Sequence, residues 1–380
     1  MITIAIDVSN TLGSSRRSGL QRLCLRVAVE LSANPGVDLV LLDGRTGTLR
    51  TLSTARVGRL STHFERPVAG NRWSATTRRV QQRSARSVPR GVAWTPQGGW
   101  LVDLDPAWHA PIPRTELLGS VQAEGTNTAA VVPDLLPVHH PEWFPPESVH
   151  RFTSWLVAHR VAGSRWIAIS DATADALRQW LDDDSLISVL RLGVDLPTLP
   201  PAGSPPLDGP GLILAVGTVE PRKGHGLLLD ALDKLGPDAP VVDVVGSAGW
   251  AADDLRARLR HHPKVRWHTE VADGDLEQLW RTTGLLVQPT SGEGFGLPVA
   301  EALARGIPVM ATDLPVLAEA SQRCARLVAP TVDAWAEVLS RFADDATFRQ
   351  GERRRAQAFV PWSWADTADD LIAALDTPGP

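Results

Sequence analysis

The segment from Gly284 to Glu319 constrains the fold of this 380-residue chain most strongly. It begins with an apolar run, Leu285 to Pro289, which is too short for a helix and is typical of a buried strand. Three glycines follow within seven residues, and Pro298 then favours the first turn of a helix that ends near Gly306. A second apolar run, Ile307 to Ala311, completes a strand–loop–helix–strand unit of the kind that builds parallel sheets.

The loop of this unit predicts a site for an anion that also carries hydroxyl groups. Its glycines let the backbone approach a ligand, and N–H groups just ahead of a helix favour phosphate. Two carboxylates, Glu293 and Glu301, flank the loop at an E-x7-E spacing. Because a carboxylate repels phosphate, we expect both to accept hydrogen bonds from hydroxyls, as in a nucleotide-sugar site. The alternative is that Glu301 lies on a helix surface and the glycines only form a turn.

This segment resembles the E-x7-E signature of retaining GT-B glycosyltransferases, and of glycosyltransferase family 4 in particular. The residues E-G-F-G-L-P-x-x-E-A-x-A-x-G-x-P-V of that signature are all present from Glu293 onward. The resemblance implies that Glu293 lies beside the donor sugar and that Glu301 holds the ribose hydroxyls. It also implies that sugar and diphosphate meet the backbone amides of the loop, at Gly294, Phe295, Gly296 and Leu297.

The region ahead of this segment predicts a doubly wound α/β domain, whose ligands lie at the carboxyl ends of the strands. We expect strands at 212–216, 241–245 and 264–268 and helices at 225–235, 253–261 and 274–283.

Gly217 follows the first of these strands, and the segment up to Lys223 resembles the family element G-T-x-E-P-R-K-N, with Gly224 in place of Asn. The resemblance implies that Arg222 and Lys223 stabilise the leaving nucleoside diphosphate and that the backbone at Val271 meets the base. Because these cations supply positive charge, we expect no metal and no other cofactor.

The first half of the chain offers weaker signals. A strand at 2–7 precedes a glycine loop, and Gly19 matches a family element near the acceptor and the diphosphate. After a turn-rich segment at 96–113, a strand near Val132 leads into P-D-L-L-P-V-H-H-P-E, which resembles the family element H-D-x-x-P-x-x-x-P-E. Pro133 replaces the family's histidine, so Asp134 becomes the candidate for activating the acceptor. The alternative is that Asp134 only caps a turn.

The resemblance implies a GT-B architecture, in which two Rossmann-like doubly wound α/β domains face each other across a cleft. We predict an acceptor-side domain at 1–195, a proline-rich linker at 196–210 and a nucleotide-sugar domain at 211–360. A C-terminal helix within 361–380 is expected to cross back and pack on the N-terminal domain.

Charge is distributed unevenly along the chain. Residues 1–130 contain 16 arginines and 9 acidic residues, whereas residues 131–380 contain 22 basic and 34 acidic residues. We therefore expect the first part to meet something anionic, although no nucleic-acid-reading motif is present. Within 72–90, Arg72, Arg79, Arg83, Arg86 and Arg90 share one helical face. Such a face can make peripheral contact with an anionic membrane, and the alternative, which the pattern favours, is an ordinary solvated face. With two isolated cysteines and no long apolar run, we predict a cytoplasmic protein.

The sequence therefore predicts a retaining hexosyltransferase. It would move a sugar from a nucleoside diphosphate sugar to a hydroxyl of a glycan, a lipid-linked acceptor or a small molecule. The element around Asp134 resembles that of polysaccharide mannosyl- and rhamnosyltransferases, which favours GDP-mannose as the donor. Two alternatives stay open. One is an epimerase or phosphorylase on the same fold. The other is a non-catalytic nucleotide-sugar-binding partner subunit of another transferase, which Pro133 supports.

Overall fold

The chain divides into two units, each built around a mainly parallel β-sheet. Unit 1 comprises residues 1–193 and 364–380, and unit 2 comprises residues 194–363. The computed structural model describes residues 3–13, 18–53, 57, 91–95, 98–182, 187–195, 209–251, 253–269, 271 and 273–377. The predicted arginine face at 72–90 lies outside these residues, as does most of the predicted linker at 196–210.

Unit 1 contains a seven-stranded sheet with the order β3-β2-β1-β4-β5-β6-β7. All neighbouring strands are parallel except β2 and β3. The strands are β1 (Ile4–Asp7), β2 (Val37–Leu42), β3 (Leu49–Thr51), β4 (Trp100–Asp103), β5 (Asn127–Val132), β6 (Arg165–Ala168) and β7 (Ile187–Val189). The segment at 96–113, predicted to be turn-rich, instead contributes β4. That prediction was wrong because β4 has only four residues, and so short a run does not show the alternation of apolar and polar residues that identifies a strand in a sequence.

Helices connect these strands and cover the sheet. They are α1 (Ser9–Gly13), α2 (Gly19–Leu31), α3 (Arg114–Ala123), α4 (Leu136–His139), α5 (Pro146–Val161), α6 (Asp171–Leu181) and, from the end of the chain, α14 (Trp364–Asp376). The Ser18 side chain begins α2 by accepting a hydrogen bond from the Gln21 amide in a capping box. Helix α14 belongs to unit 1, where Thr367 accepts a hydrogen bond from the Gly193 amide at 2.8 Å.

Unit 2 contains a six-stranded, fully parallel sheet with the order β10-β9-β8-β11-β12-β13. Its strands are β8 (Leu212–Val216), β9 (Val242–Val245), β10 (Val265–His268), β11 (Thr283–Gln288), β12 (Val309–Thr312) and β13 (Arg326–Val328). Its helices are α7 (His225–Leu235), α8 (Asp253–His261), α9 (Asp273–Thr282), α10 (Leu297–Ala304), α11 (Pro315–Ala320), α12 (Val332–Asp344) and α13 (Ala346–Ala356). Fully buried side chains from α7 and α12, including Leu228, Trp335 and Phe342, pack on this sheet.

Both sheets reverse their strand order beside their first strand. In unit 1 the reversal lies between β1 and β4, and in unit 2 it lies between β8 and β11. At such a switch point the two following loops diverge, and they leave a crevice at the carboxyl ends of the strands where α/β proteins bind ligands. The fold therefore places one candidate location in each unit. Among the helices that the structure describes, none combines the length and the apolar character that a membrane span requires.

Candidate functional site

The switch point of unit 2 brings together three of the predicted catalytic residues. Lys223, from the loop after β8, places Nζ 2.6 Å from Oε1 and 2.8 Å from Oε2 of Glu293, from the loop after β11. Arg222 Nη1 lies 3.6 Å from Oε2 of the same carboxylate. Gln288, the last residue of β11, donates from Nε2 to Oε1 at 2.8 Å. The predicted cations and the predicted sugar-side carboxylate thus form one cluster.

This cluster fixes the charge of Glu293. Burial alone would raise the pKa of Glu293, but Lys223 and Arg222 oppose burial and the pKa lies below its usual value. Glu293 is therefore ionised at neutral pH, and it neutralises cations that would otherwise attract an anion. The side chains of Lys223 and Glu293 are 13% and 8% exposed, so the pair is mostly, though not fully, buried.

Arg222 also holds the two loops against each other. Its Nε lies 2.7 Å from Glu220 Oε1, and its Nη1 donates to the Gly292 carbonyl at 3.0 Å. In return, the Arg222 carbonyl accepts hydrogen bonds from the Ser291 amide at 2.7 Å and from the Thr290 hydroxyl at 3.0 Å. Backbone and side chain of one residue therefore set the spacing between the two loops of the switch point.

Glycine is required where these loops approach most closely. Gly224 has a φ of +70°, and a Cβ there would lie 1.8 Å from the Pro289 carbonyl oxygen. With this backbone, any side chain at 224 would clash with that carbonyl. Gly217 lies directly after β8 with a φ of +154°, a conformation that residues with a side chain rarely adopt.

The glycine loop after Glu293 leads into α10. Gly296 caps this helix with a φ of +103°, Leu297 is its first residue, and Gly294 and Phe295 are half-buried. Glu301 lies within α10 and is only 6% exposed. The alternative that Glu301 is an ordinary helix-surface acid is therefore wrong. The roles of these residues toward ribose, sugar and diphosphate stay predictions.

Val271, whose backbone is predicted to meet the nucleobase, follows strand β10. It lines a cavity of about 500 Å³ beyond the carboxyl end of β10, together with His268, Thr269, Asp275, Gln278 and Leu279. The buried carboxylate of Asp243 holds His268 in this wall, because Asp243 Oδ1 lies 2.6 Å from His268 Nε2. Its lining combines two apolar side chains, Val271 and Leu279, with four polar ones.

Sequence reasoning missed three supporting residues of this site, Glu220, Gln288 and His225. The first two touch Arg222 and Glu293, and no spacing pattern marks such contacts. His225 begins α7, is 3% exposed, and its Nδ1 has no hydrogen-bond partner among the described residues. Burial, aided by Lys223, lowers the pKa of His225 to about 4, so the ring is neutral at neutral pH. His225 directly follows the R-K-G element, and this position is the sequence signal that could have identified it.

The other two predicted site residues, Asp134 and Gly19, belong to unit 1. Asp134 follows β5 and is half-buried, and its Oδ1 accepts a hydrogen bond from the Leu136 amide at 3.0 Å. This is the turn-capping arrangement, so the carboxylate has a local structural role whatever else it does. Gly19 is the exposed first residue of α2.

Comparison with known proteins agrees with this geometry. A family model described as glycosyl transferases group 1 matches residues 210–345, which include the whole unit 2 cluster. The serotype-specific mannosyltransferase WbdA of Escherichia coli is 30% identical over 291 residues, which are 68% of this chain and 34% of WbdA. A D-inositol 3-phosphate glycosyltransferase of Streptomyces coelicolor is 31% identical over 261 residues, which are 57% of this chain and 56% of the relative.

A solved structure extends the likeness to both units. Anabaena Alr3699/HepE in complex with UDP and glucose superposes with a TM-score of 0.64 at 16% identity, over 99% of either chain. At that identity the superposition shows the fold alone. The chain spans only 34% of WbdA and 56% of the Streptomyces relative, so their full activities are not transferred to it. The family match, the curated relatives and the two parallel-sheet units of the structural likeness together support a GT-B glycosyltransferase similar to family 4.

Proposed function

We propose that the chain transfers a sugar from a nucleoside diphosphate sugar to a hydroxyl of a glycan, a lipid-linked acceptor or a small molecule. The observation that carries this proposal is the cluster of Lys223, Arg222 and Glu293 at the unit 2 switch point. A diphosphate that binds Lys223 and Arg222 would replace the Glu293 carboxylate as the partner of these two cations. The carboxylate would then be free to accept hydrogen bonds from the hydroxyls of the donor sugar.

In the proposed reaction the bond between the sugar C1 and the diphosphate oxygen breaks while C1 bonds to the acceptor oxygen. The acceptor proton leaves to an oxygen of the departing diphosphate, on which negative charge develops. Fixed cations at that position stabilise the transition state more than the ground state. Attack from the face that the diphosphate leaves retains the anomeric configuration, with Glu293 as a hydrogen-bond acceptor and not a nucleophile. Because Arg222 and Lys223 supply the positive charge, we propose that no metal is needed.

The cavity beside Val271 would take the nucleobase. It lies at the carboxyl end of the same sheet as the cation cluster, and it has polar groups for the edge of a base. WbdA is named as a mannosyltransferase, which supports a mannose donor for this chain. GDP-mannose is therefore the donor that we propose to test first.

A ligand-stabilisation screen tests the proposal. UDP, GDP, ADP and dTDP, with their sugar conjugates, are added to the wild type and to Lys223→Ala, and the change in melting temperature is measured. We expect one nucleoside diphosphate to stabilise the wild type by about 2.7 kcal/mol at a hundredfold excess over Kd. Lys223→Ala should lose most of that change, because it removes the closest cation. Its ligand-free melting temperature also falls, so only the ligand-induced shift is compared.

Lys234→Ala is the matched control, because Lys234 is an exposed lysine of unit 2 that pairs with Asp333. It should keep the full ligand-induced shift. If no nucleotide changes the wild-type melting temperature at millimolar concentration, the donor site is wrong. If a nucleotide sugar binds but no acceptor from a glycan and lipid panel is turned over, the non-catalytic binding subunit becomes the better assignment. Turnover that survives a metal chelator would support the metal-free reaction.

A further inference from the structure

Unit 1 carries a buried group of ionisable residues at its own switch point, which the proposed reaction does not use. Asp7 ends β1, Asp103 ends β4 and Asp105 follows two residues later, and each is at most 2% exposed. Arg114 of α3 donates from Nε to Asp103 at 2.8 Å and from Nη2 to Asp7 at 2.8 Å. His159 of α5 places Nε2 2.9 Å from Asp103. Two of the three carboxylates are thus paired with the guanidinium.

Asp105 is the third carboxylate, and it accepts hydrogen bonds from Asn10 and Thr11 instead of pairing with a cation. Its Oδ2 accepts from the amides of Asn10 at 2.5 Å and Thr11 at 2.9 Å, and its Oδ1 accepts from the Thr11 hydroxyl at 2.6 Å. These donors lie in α1, which is 94 residues away in the chain from Asp105. Within the described residues Asp105 forms no ion pair. Its two oxygens therefore serve to hold α1 in place.

The contact continues from α1 to the start of α2. Gln21 of α2 donates from Nε2 to Asn10 Oδ1 at 3.4 Å, and its Oε1 accepts from the Ser18 amide at 3.1 Å. Gly19, predicted to face acceptor and diphosphate, lies between Ser18 and Gln21 at the first turn of α2. A chain of hydrogen bonds thus joins the Asp105 carboxylate to the helix end that presents Gly19.

We propose that Asp105 is a positioning residue for sugar transfer: its ionised carboxylate fixes α1 and, through Asn10 and Gln21, the N-terminus of α2 at Gly19. Protonation of the Asp105 carboxylate removes one of the acceptor positions that serve the Asn10 amide, the Thr11 amide and the Thr11 hydroxyl, and it loosens this arrangement. The link to transfer rests on the proposed function, whereas the link to the conformation of α1 does not.

The surroundings place this change near neutral pH. Burial and the neighbouring charge of Asp7 raise the pKa of Asp105 to about 7, against the opposing hydrogen bonds from Thr11 and Asn10. Among the described residues, Asp7 from β1 and Cys24 from α2 face it, and burial together with both carboxylates keeps the Cys24 thiol neutral by raising its pKa. Arg114 is engaged by Asp7 and Asp103. The hydrogen bonds from Asn10 and Thr11 bind the ionised form and lower the pKa of Asp105, so releasing α1 from a carboxylate that stays buried would raise that pKa further. The ionised form that holds α1 is therefore gained as pH rises through about 7 and lost below it.

Amide hydrogen exchange between pH 5.5 and 8.5, corrected for the intrinsic rate, tests the structural part. In the wild type we expect protection of the Asn10 and Thr11 amides to rise with a midpoint near pH 7. In Asp105→Asn, which keeps the shape but not the charge, protection should be low and independent of pH. Asp175→Asn changes an exposed aspartate on α6 and should behave as the wild type. Protection in the wild type that does not depend on pH would overturn the proposal.

A second variant decides the question if Asp105→Asn does not fold. Thr11→Val removes one donor that lowers the pKa of Asp105, so the midpoint of protection should move to higher pH. An unchanged midpoint in Thr11→Val would also overturn the proposal.

The catalytic part is tested by kcat/KM against pH, with the donor identified in the ligand screen. The wild-type value should fall below pH 7, and Asp105→Asn should give a flat profile, about tenfold below the wild-type value at pH 8. A wild type without any transfer activity would refute the proposed function, while the exchange result would still decide the role of Asp105. A parallel fall of kcat/KM in wild type and Asp105→Asn would show that another group titrates.

Discussion

The two switch points share one topology and differ in their electrostatics. In unit 1, between β1 and β4, two of three buried carboxylates pair with one guanidinium, and the side chains of Arg114 and Asp103 are 3% and 0% exposed. In unit 2, between β8 and β11, two cations meet Glu293, and the Arg222 and Lys223 side chains are 18% and 13% exposed. The unit 1 group is therefore sealed from solvent, whereas the unit 2 cations are partly exposed.

This difference shows that a charged cluster at a switch point is not evidence of a binding site until its exposure is known. In unit 1 Arg114 meets Asp7 and Asp103 inside the protein, away from solvent. In unit 2 the Glu293 and Glu220 carboxylates pair with the cations, and we propose that a diphosphate replaces Glu293 there. The same kinds of residue thus stabilise the fold in one unit and keep a site ready in the other. Removing a charge should therefore have opposite consequences in the two units.

The largest effect is expected for Arg114→Met. This change leaves Asp7 and Asp103 buried without their cation, which costs about 3–5 kcal/mol of unfolding free energy. Urea denaturation followed by tryptophan fluorescence measures the loss, since Trp155 donates to Asp103 at 3.0 Å and reports on this cluster. Arg151→Met, which breaks an exposed pair with Glu147, is the control and should cost about 1 kcal/mol or less. If both variants lose equal stability, the sealed character of the unit 1 cluster is disproved.

Glu293→Gln should have the next largest effect, and it should change the rate of transfer and the affinity for the diphosphate in different ways. Transfer should fall by about a hundredfold or more, about 2.7 kcal/mol in activation free energy, because the charged acceptor for the sugar hydroxyls is lost. Affinity for the free nucleoside diphosphate should stay the same or rise, because Lys223 and Arg222 no longer have a competing carboxylate. Calorimetric titration with the diphosphate and a transfer assay on the same preparation measure both.

Asp230→Asn supplies the control for that experiment, since Asp230 is an exposed carboxylate of unit 2 that pairs with Arg258. It should leave both quantities near their wild-type values. A Glu293→Gln variant that loses affinity for the diphosphate would mean that Glu293 organises the cations and does not compete for them.

The unit 2 site could be predicted from the sequence because its chemistry is local. Glycines, a helix start and the E-x7-E spacing lie within one short segment, and Arg222 and Lys223 directly follow a recognisable strand. Parallel-sheet topology then brings the carboxyl ends of β8 and β11 together without further information. What could not be predicted is that Lys223 and Arg222 pair with Glu293, because that depends on the distances between the loops.

The unit 1 cluster escaped prediction for the opposite reason. Asp7 is 107 residues away from Arg114 in the chain, and β4 is too short to be recognised, so nothing local marks the members of the cluster as neighbours. The strands β1 and β5 were predicted near their observed positions because each contains an apolar run. Long apolar runs therefore revealed the layers of unit 1, whereas its buried charges needed the tertiary structure.

The smallest effect is expected for His225→Leu, which tests whether unit 2 also contains a sealed ionisable group. Because the pKa of His225 is lowered to about 4, the folded state binds fewer protons than the unfolded state between about pH 6.5 and 4. Wild-type stability should therefore fall as pH decreases through that range. In His225→Leu this fall should be smaller by about 1–2 kcal/mol between pH 6.5 and 5, measured by urea denaturation. His150→Leu, at an exposed position on α5, should keep the wild-type dependence. If His225→Leu keeps it as well, the imidazole is reached by water, and the neutral ring belongs to the open part of the unit 2 site.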